Sequence, residues 1–192
     1  MIIGISGKLG VGKTTLSQQL SQLIDKSTIL SFSDAIKREV AQLFEISLDE
    51  VYNNKNLIVH NNLFRRQAGM SEDAMTIRGL LQWYGTDVVK LKDERYWIRK
   101  MEENIINCRE DIIIIDDVRY PDEADFVKEH DGINILINPY PEYSPCNTSN
   151  ELQHSTEISM DRYCHWDYTF SPLHGIEHLV KISLFLKAQL FS

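Results

Sequence analysis

Cysteine is scarce in this chain, and the three present, Cys108, Cys146 and Cys164, show no C-x-x-C spacing. No disulfide framework or ribbon-type zinc site follows from them, and a reducing cytosol suits them. Combining Cys146 and Cys164 with His154 and His165 gives four ligand types at irregular spacing with two of them adjacent, so zinc is not indicated. Positive charge is also short. Against 28 Asp and Glu there are 20 Lys and Arg, a formal net charge of -8, which disfavours nucleic acid as a partner and points to a small molecule. No apolar run approaches the roughly 20 residues of a membrane span. The chain opens on an apolar strand with no room for a leader, so a cytoplasmic location is expected. No internal repeat is present, and 192 residues suit one domain with a real core.

What the sequence does have is Gly7-Lys8-Leu9-Gly10-Val11-Gly12-Lys13-Thr14, a G-x-x-x-x-G-K-[ST] stretch after the apolar run Met1–Ile5. The amphipathic pattern Leu16, Leu20, Leu23, Ile24 beyond it predicts a helix, so the strand, loop and helix that a phosphate cradle requires are all there. Glycine there lets successive backbone N–H groups turn inward on a polyphosphate, and a helix N-terminus adds partial positive charge. ATP phosphates are therefore assigned to Gly7, Leu9, Gly10, Val11, Gly12, Lys13, Thr14 and Thr15. Lys13 is the expected catalytic cation, mobile and facing the outer phosphates, and the Thr14 hydroxyl can enter a magnesium shell.

Further along, Thr28–Phe32 reads as a strand and Ser33-Asp34 as the cap of a helix carrying Ile36, Val40, Leu43 and Phe44. Residues 47–73 are polar and Asn-rich, a mobile stretch with a short helix near Leu48–Tyr52. Thr76 can cap a helix with Ile77, Leu80, Leu81, Tyr84 and Val88 on one stripe and Arg78 and Gln82 together on another. Asp93 can cap a second, with Trp97, Ile98, Met101 and Ile105 inward and Arg95 and Arg99 on a solvated face. Ile112–Ile115 followed by Asp116-Asp117 is a buried strand ending in carboxylates, the Walker-B arrangement that holds Mg²⁺ beside a phosphate loop. Pro121 opens the next helix, Ile133–Ile137 and Tyr168–Phe170 are strands, and Ser171-Pro172 starts the last helix. Strands alternating with helices give an α/β fold with a parallel sheet covered on both faces. The last helix has more apolar residues (Ile182, Leu184, Phe185, Leu186, Leu190, Phe191) than one face needs, which leaves full burial and a homodimer contact both open. Residues 139–154, with three prolines, read as a lid or a surface loop.

Four segments together resemble the deoxynucleoside monophosphate kinases of bacteriophages and large viruses, a branch of the P-loop nucleotide kinases. They are the phosphate loop; Arg78-Gly79-Leu80-Leu81-Gln82-Trp83-Tyr84-Gly85-Thr86-Asp87, with Trp97 after it; Asp117-Val118-Arg119-Tyr120-Pro121-Asp122-Glu123; and His154-Ser155-Thr156-Glu157. The resemblance implies a three-layer P-loop kinase fold with a five-stranded parallel sheet. A core of about residues 1–46 and 110–192 would carry an acceptor-binding helical region of about 47–109 and a lid of about 139–154. It assigns substrate binding to Arg78, Gln82, Asp117 and Arg119, and also to Asp34, Trp97 and Glu157. Arg119 joins Lys13 as a catalytic residue. Magnesium falls to Thr14 and Asp117, directly or through water, with Asp116 as the alternative. This chain departs from the family in having Thr14 where an aspartate commonly follows Gly-Lys, and Asp122 where an asparagine is usual.

The expected reaction moves the γ-phosphoryl of Mg²⁺-ATP onto a deoxynucleoside monophosphate. The acceptor phosphate, with a second pKa near 6, is already a nucleophile at neutral pH, so the protein must supply cations and alignment rather than a base. Three other readings share parts of the pattern. A phosphomevalonate kinase-like enzyme shares the loop and the Asp-Val-Arg type of motif. A 5′-hydroxyl polynucleotide kinase would need Asp34 or a similar carboxylate as base and a basic groove. A P-loop switch would carry Asn-Lys-x-Asp, and Asn54-Lys55-Asn56-Leu57 lacks its aspartate.

Overall fold

The computed structural model describes residues 1–60, 74–139, 159–173 and 175–191. Among the described residues seven strands and seven α-helices fall into two compact units, one of Met1–Ser31 with Asn104–Ser192 and one of Phe32–Glu103.

In the first unit β1 (Ile2–Gly7), β2 (Ser27–Leu30), β5 (Ile112–Val118), β6 (Ile133–Ile137) and β7 (Tyr168–Phe170) form one sheet. Their order is β2-β5-β1-β6-β7 and every pairing is parallel. Nearly continuous apolar runs form the central strands because both faces are covered. On one face α1 (Lys13–Leu23) and α7 (Ile176–Leu190) bring Leu16, Leu20 and Leu186 onto Ile3, Ile5, Ile114, Ile135 and Ile137. On the other α6 (Pro121–Glu129) buries Ala124, Phe126 and Val127. The result is a three-layer α/β arrangement with a five-stranded parallel sheet.

The apolar surplus of α7 divides. Ile182, Leu186 and Leu190 join the core, Phe185 meets the rings of Tyr168 and Phe170 edge-on, and Leu184 stays exposed. That helix starts at Ile176 behind Gly175, not at Ser171-Pro172, which remain outside any helix.

In the second unit α2 (Phe32–Leu43) packs with α3 (Leu48–Asn53) and α4 (Ile77–Gln82) around Val40, Phe44, Val51, Ile77 and Leu80. The second unit begins at Phe32, since the apolar stripe of α2 is spent on these helices. The short helix expected near Leu48–Tyr52 is α3, and residues 61–73 of the polar stretch lie outside the described residues. Ser47 and Glu50 form a reciprocal capping box on α3, and β3 (Ile58–His60) pairs antiparallel with β4 (Ala74–Thr76).

Thr76 caps α4 as expected, its hydroxyl accepting from the Gly79 N–H at 3.1 Å. The helical stripe does not continue in α geometry. Trp83–Lys90 is a π-helix, and Gly85 within it lies so near Ile36 that an added Cβ would stand 2.9 Å from that side chain. The next helix, α5 (Tyr96–Ile106), begins past Asp93, whose carboxylate pairs with Arg99 and accepts from the Arg95 N–H. Arg99 is therefore an ion-pair partner within the unit.

Candidate functional site

The phosphate loop of the first unit joins the carboxyl end of β1 to α1. Gly7, Gly10 and Gly12 all have positive φ, with Gly12 at 99° serving as the N-cap of α1, so side-chain-bearing residues would be strained there. No side chain caps α1 at Gly12 and no acidic residue stands in its first turn. The loop amides and helix dipole thus present partial positive charge at the sheet's ligand-binding end.

Lys13 is 8% exposed, and its ammonium donates to the carbonyls of Gly7 at 2.7 Å and Lys8 at 2.8 Å. It is therefore held across the loop, not mobile as its side-chain length suggested. Thr14 is exposed, Thr15 and Leu9 are half-buried, and Val11 is core.

β5 carries the paired carboxylates through a bulge. Gly4 faces Ile115 and Ser6 faces Val118, so Asp116 and Asp117 stand opposite the single Ile5. An extra residue at a strand end re-aims side chains and is common beside active sites. Asp117 Oδ2 accepts from the Ser31 hydroxyl at 2.5 Å, which orients that carboxylate. With the Thr14 hydroxyl, these oxygens are the hard donors that magnesium takes, alongside waters and phosphate oxygens. Among the described residues no group of three or more His, Cys, Asp or Glu converges.

Directly after β5, the turn bearing Arg119 is fixed by Glu123. This side chain is 5% exposed, and its Oε2 accepts from the backbone N–H of Arg119 at 2.7 Å and of Tyr120 at 3.1 Å. Arg119 lines a cavity of 240 Å³ at the carboxyl ends of β1, β5 and β6, together with Ser6, Gly7, Lys8, Asn138, Asp161, Tyr163 and Trp166. Lys8 and Asp161 form an ion pair with side chains 34% and 53% exposed, worth no more than about 1 kcal/mol. The Tyr163 phenol is pushed up to about 12, by burial and by the nearby Asp125 carboxylate.

In the second unit Arg78 and Gln82 lie one turn apart on α4, both half-buried. Asp34 stands in the first turn of α2, past the end of β2. Its Oδ1 accepts from Lys37 at 2.9 Å and from the Tyr52 hydroxyl at 2.8 Å. Tyr52 is pushed up to about 12 by partial burial and by that carboxylate. Trp97 is 4% exposed, and its indole N–H donates to the Gly85 carbonyl at 2.9 Å, so its polar atom is engaged inside the unit. Glu39 accepts from the hydroxyls of Tyr84 and Tyr96, each at 2.8 Å. Glu157 and residues 140–154 of the expected lid lie outside the described residues.

Sequence reasoning passed over Lys8, Ser31, Asp161, Tyr163 and Trp166 as site residues, and took Glu123 only as part of a motif. Lys8 and Glu123 had a signal, the first inside the loop motif and the second in the first turn of a Pro-opened helix. Ser31 and Asp161 had none, since each meets its partner across 86 and 153 positions of chain.

A family model described as deoxynucleotide monophosphate kinase matches residues 42–162, more than half of the chain. That span contains the Arg78–Asp87 and Asp117–Glu123 blocks and excludes the phosphate loop. A protein of Acanthamoeba polyphaga mimivirus named as a deoxynucleotide monophosphate kinase is 30% identical over 159 residues, covering 72% of this chain and 74% of that one. The deoxynucleoside-5′-monophosphate kinase of Escherichia phage T5 is 28% identical over 97 residues, covering 48% of this chain and 38% of that one. Among solved structures, a shikimate kinase from Bacteroides thetaiotaomicron aligns over 99% of this chain and 98% of its own at 14% identity with a TM-score of 0.48.

Proposed function

The chain belongs to the deoxynucleotide monophosphate kinase family, and from that premise we propose that its first unit transfers the γ-phosphoryl of Mg²⁺-ATP to the phosphate of a deoxynucleoside monophosphate. The single observation that carries this reading is the strand-end geometry of the first unit. There the positive-φ glycine loop with its bridging Lys13 lies on β1, and the bulged Asp116-Asp117 pair, followed by Arg119, lies on the neighbouring strand β5.

Each residue has a role that its chemistry allows. The amides from Gly7 to Thr15 and Lys13 hold the donor phosphates. Magnesium, brought with ATP, neutralises charge on those phosphates; Thr14 and Asp117 would hold it, and Ser31 keeps the Asp117 carboxylate oriented. The guanidinium of Arg119 binds the acceptor or transferring phosphate as a planar fork, on a turn that Glu123 holds still. Arg78 and Gln82 fix the acceptor nucleotide, the Gln82 amide being able to donate to and accept from a base edge. Asp34 is assigned to the acceptor as well, through the oxygen it does not share with Lys37 and Tyr52. Trp97 serves acceptor binding from within the core, by holding the π-helix through Gly85. Glu157 keeps its assignment by resemblance alone. No residue need act as a base, because the acceptor phosphate is already ionised.

A screen with ATP and each of the four deoxynucleoside monophosphates, the ribonucleotides, phosphomevalonate and a 5′-hydroxyl oligonucleotide tests the acceptor class. Diphosphate from at least one deoxynucleoside monophosphate is the expected product. Phosphorylation of phosphomevalonate or the oligonucleotide alone would overturn the reading.

A further inference from the structure

The two lysines of the phosphate loop are held very differently. Lys13 is buried across the loop, donating to the carbonyls of Gly7 and Lys8. Lys8 instead sends its ammonium to Asp161, far along the chain, through a pair whose members are 34% and 53% exposed. An exposed pair of this kind is weak and readily exchanged for another anion.

Both side chains line the cavity that also receives Arg119. There an incoming phosphate would compete with the Asp161 carboxylate for the Lys8 ammonium. Asp161 is also placed to leave. Its segment is anchored beyond it by Asp167, whose carboxylate accepts from Lys128 at 2.7 Å and from the Asn134 N–H at 2.7 Å and whose own N–H donates to the Asn134 carbonyl at 2.9 Å. Losing the Lys8 contact therefore leaves the attachment to β6 intact.

We propose that Lys8 is a second phosphate-binding cation of the loop, and that Asp161 is an internal stand-in anion which the outer phosphates of bound nucleotide displace. The inference rests on the kinase reading of the loop. It adds a loop side chain beyond the motif lysine and a coupling between phosphate binding and the segment preceding β7.

Full-length protein and the variants Lys8→Met, Lys8→Arg and Asp161→Asn are titrated calorimetrically with Mg²⁺-ATP. Lys8→Met is expected to weaken binding about tenfold or more, the scale of one lost charge-assisted contact, while Lys8→Arg stays within a few-fold of wild type. Asp161→Asn, which removes the competitor, should bind as tightly as wild type or a few-fold more tightly. Opposite directions for the two charge-removing variants separate this account from a structural latch. If both weaken binding alike, or if Lys8→Met binds as wild type does, the proposal is overturned. Binding is read without an acceptor, so failure of every deoxynucleoside monophosphate to turn over would overturn the kinase reading alone.

Discussion

Replacing Lys13 with Met keeps most of the side-chain volume and removes the charge, and the structure predicts losses in both stability and rate. The ammonium makes two hydrogen bonds at 2.7 and 2.8 Å to the carbonyls of Gly7 and Lys8 and is 8% exposed. Hydrogen bonds to a charged donor contribute about 1.5–3 kcal/mol each, and water can reach the loop carbonyls once the amine is gone, so the net cost is about 1–3 kcal/mol. For a chain of this size that is a fall in Tm of about 3–10 °C. The rate loss is expected to be larger, because on the proposed function the same cation meets the charge that develops on the transferred phosphoryl group. A factor of about 100 or more in kcat is expected from loss of one such stabilising group. Calorimetry and steady-state turnover, with rates measured well below the variant's melt, separate the two effects. Near-normal kcat in Lys13→Met would remove the loop lysine from the chemical account, and an unchanged Tm would show that its two carbonyl contacts do not hold the loop.

Other substitutions test the neighbouring parts of the site. Arg119→Lys keeps the charge but loses the fork, so kcat should fall about tenfold or more with little change in Tm, and a large drop in Tm with normal residual kinetics would make Arg119 a structural ion-pair residue. Glu123→Ala strands two backbone N–H groups at a buried site and should cost about 2–5 kcal/mol, whereas Glu123→Gln can still accept both bonds and should cost about 1 kcal/mol; chemical denaturation giving equal costs would contradict the capping role. Tyr52 and Tyr163, both raised to about 12, favour the neutral phenol in the folded state. Their contribution to stability is complete below the unfolded value of about 10 and is lost as pH rises toward 12, so melts should fall steeply over that range. A flat alkaline profile would show that these hydroxyls are not held as described.

Much of the first unit was readable because its signals are local. A glycine loop between a strand and a helix, an apolar run ending in two aspartates, and a Pro-opened helix each declare themselves within about ten residues. What was not legible depends on partners far apart in sequence. The bulge at Asp116-Asp117 is a property of pairing with β1, and the Ser31 contact to Asp117 joins residues 86 positions apart. The π-helix at Trp83–Lys90 has the apolar period of an ordinary helix; its register is accompanied by the Gly85–Trp97 hydrogen bond and the close approach of Ile36, both tertiary. Phe32 was read as the end of a strand because it is apolar and follows one, yet it starts α2 and is buried there. The short helix expected near Leu48–Tyr52 forms as α3, although the Ser47-x-x-Glu50 capping box that starts it went unread among the surrounding asparagines.

The central claim is that the phosphoryl group passes from the donor held by the first unit to the phosphate of a deoxynucleoside monophosphate. Its most direct test supplies ATP labelled in the γ-phosphoryl group to the wild-type chain and to Lys13→Met, with the preferred deoxynucleoside monophosphate as acceptor, and follows the label by chromatography. The account predicts label in the β-phosphoryl of the deoxynucleoside diphosphate for the wild type, formed about a hundredfold or more slowly by the variant. Label recovered only as inorganic phosphate, or equal transfer by both proteins, would contradict it.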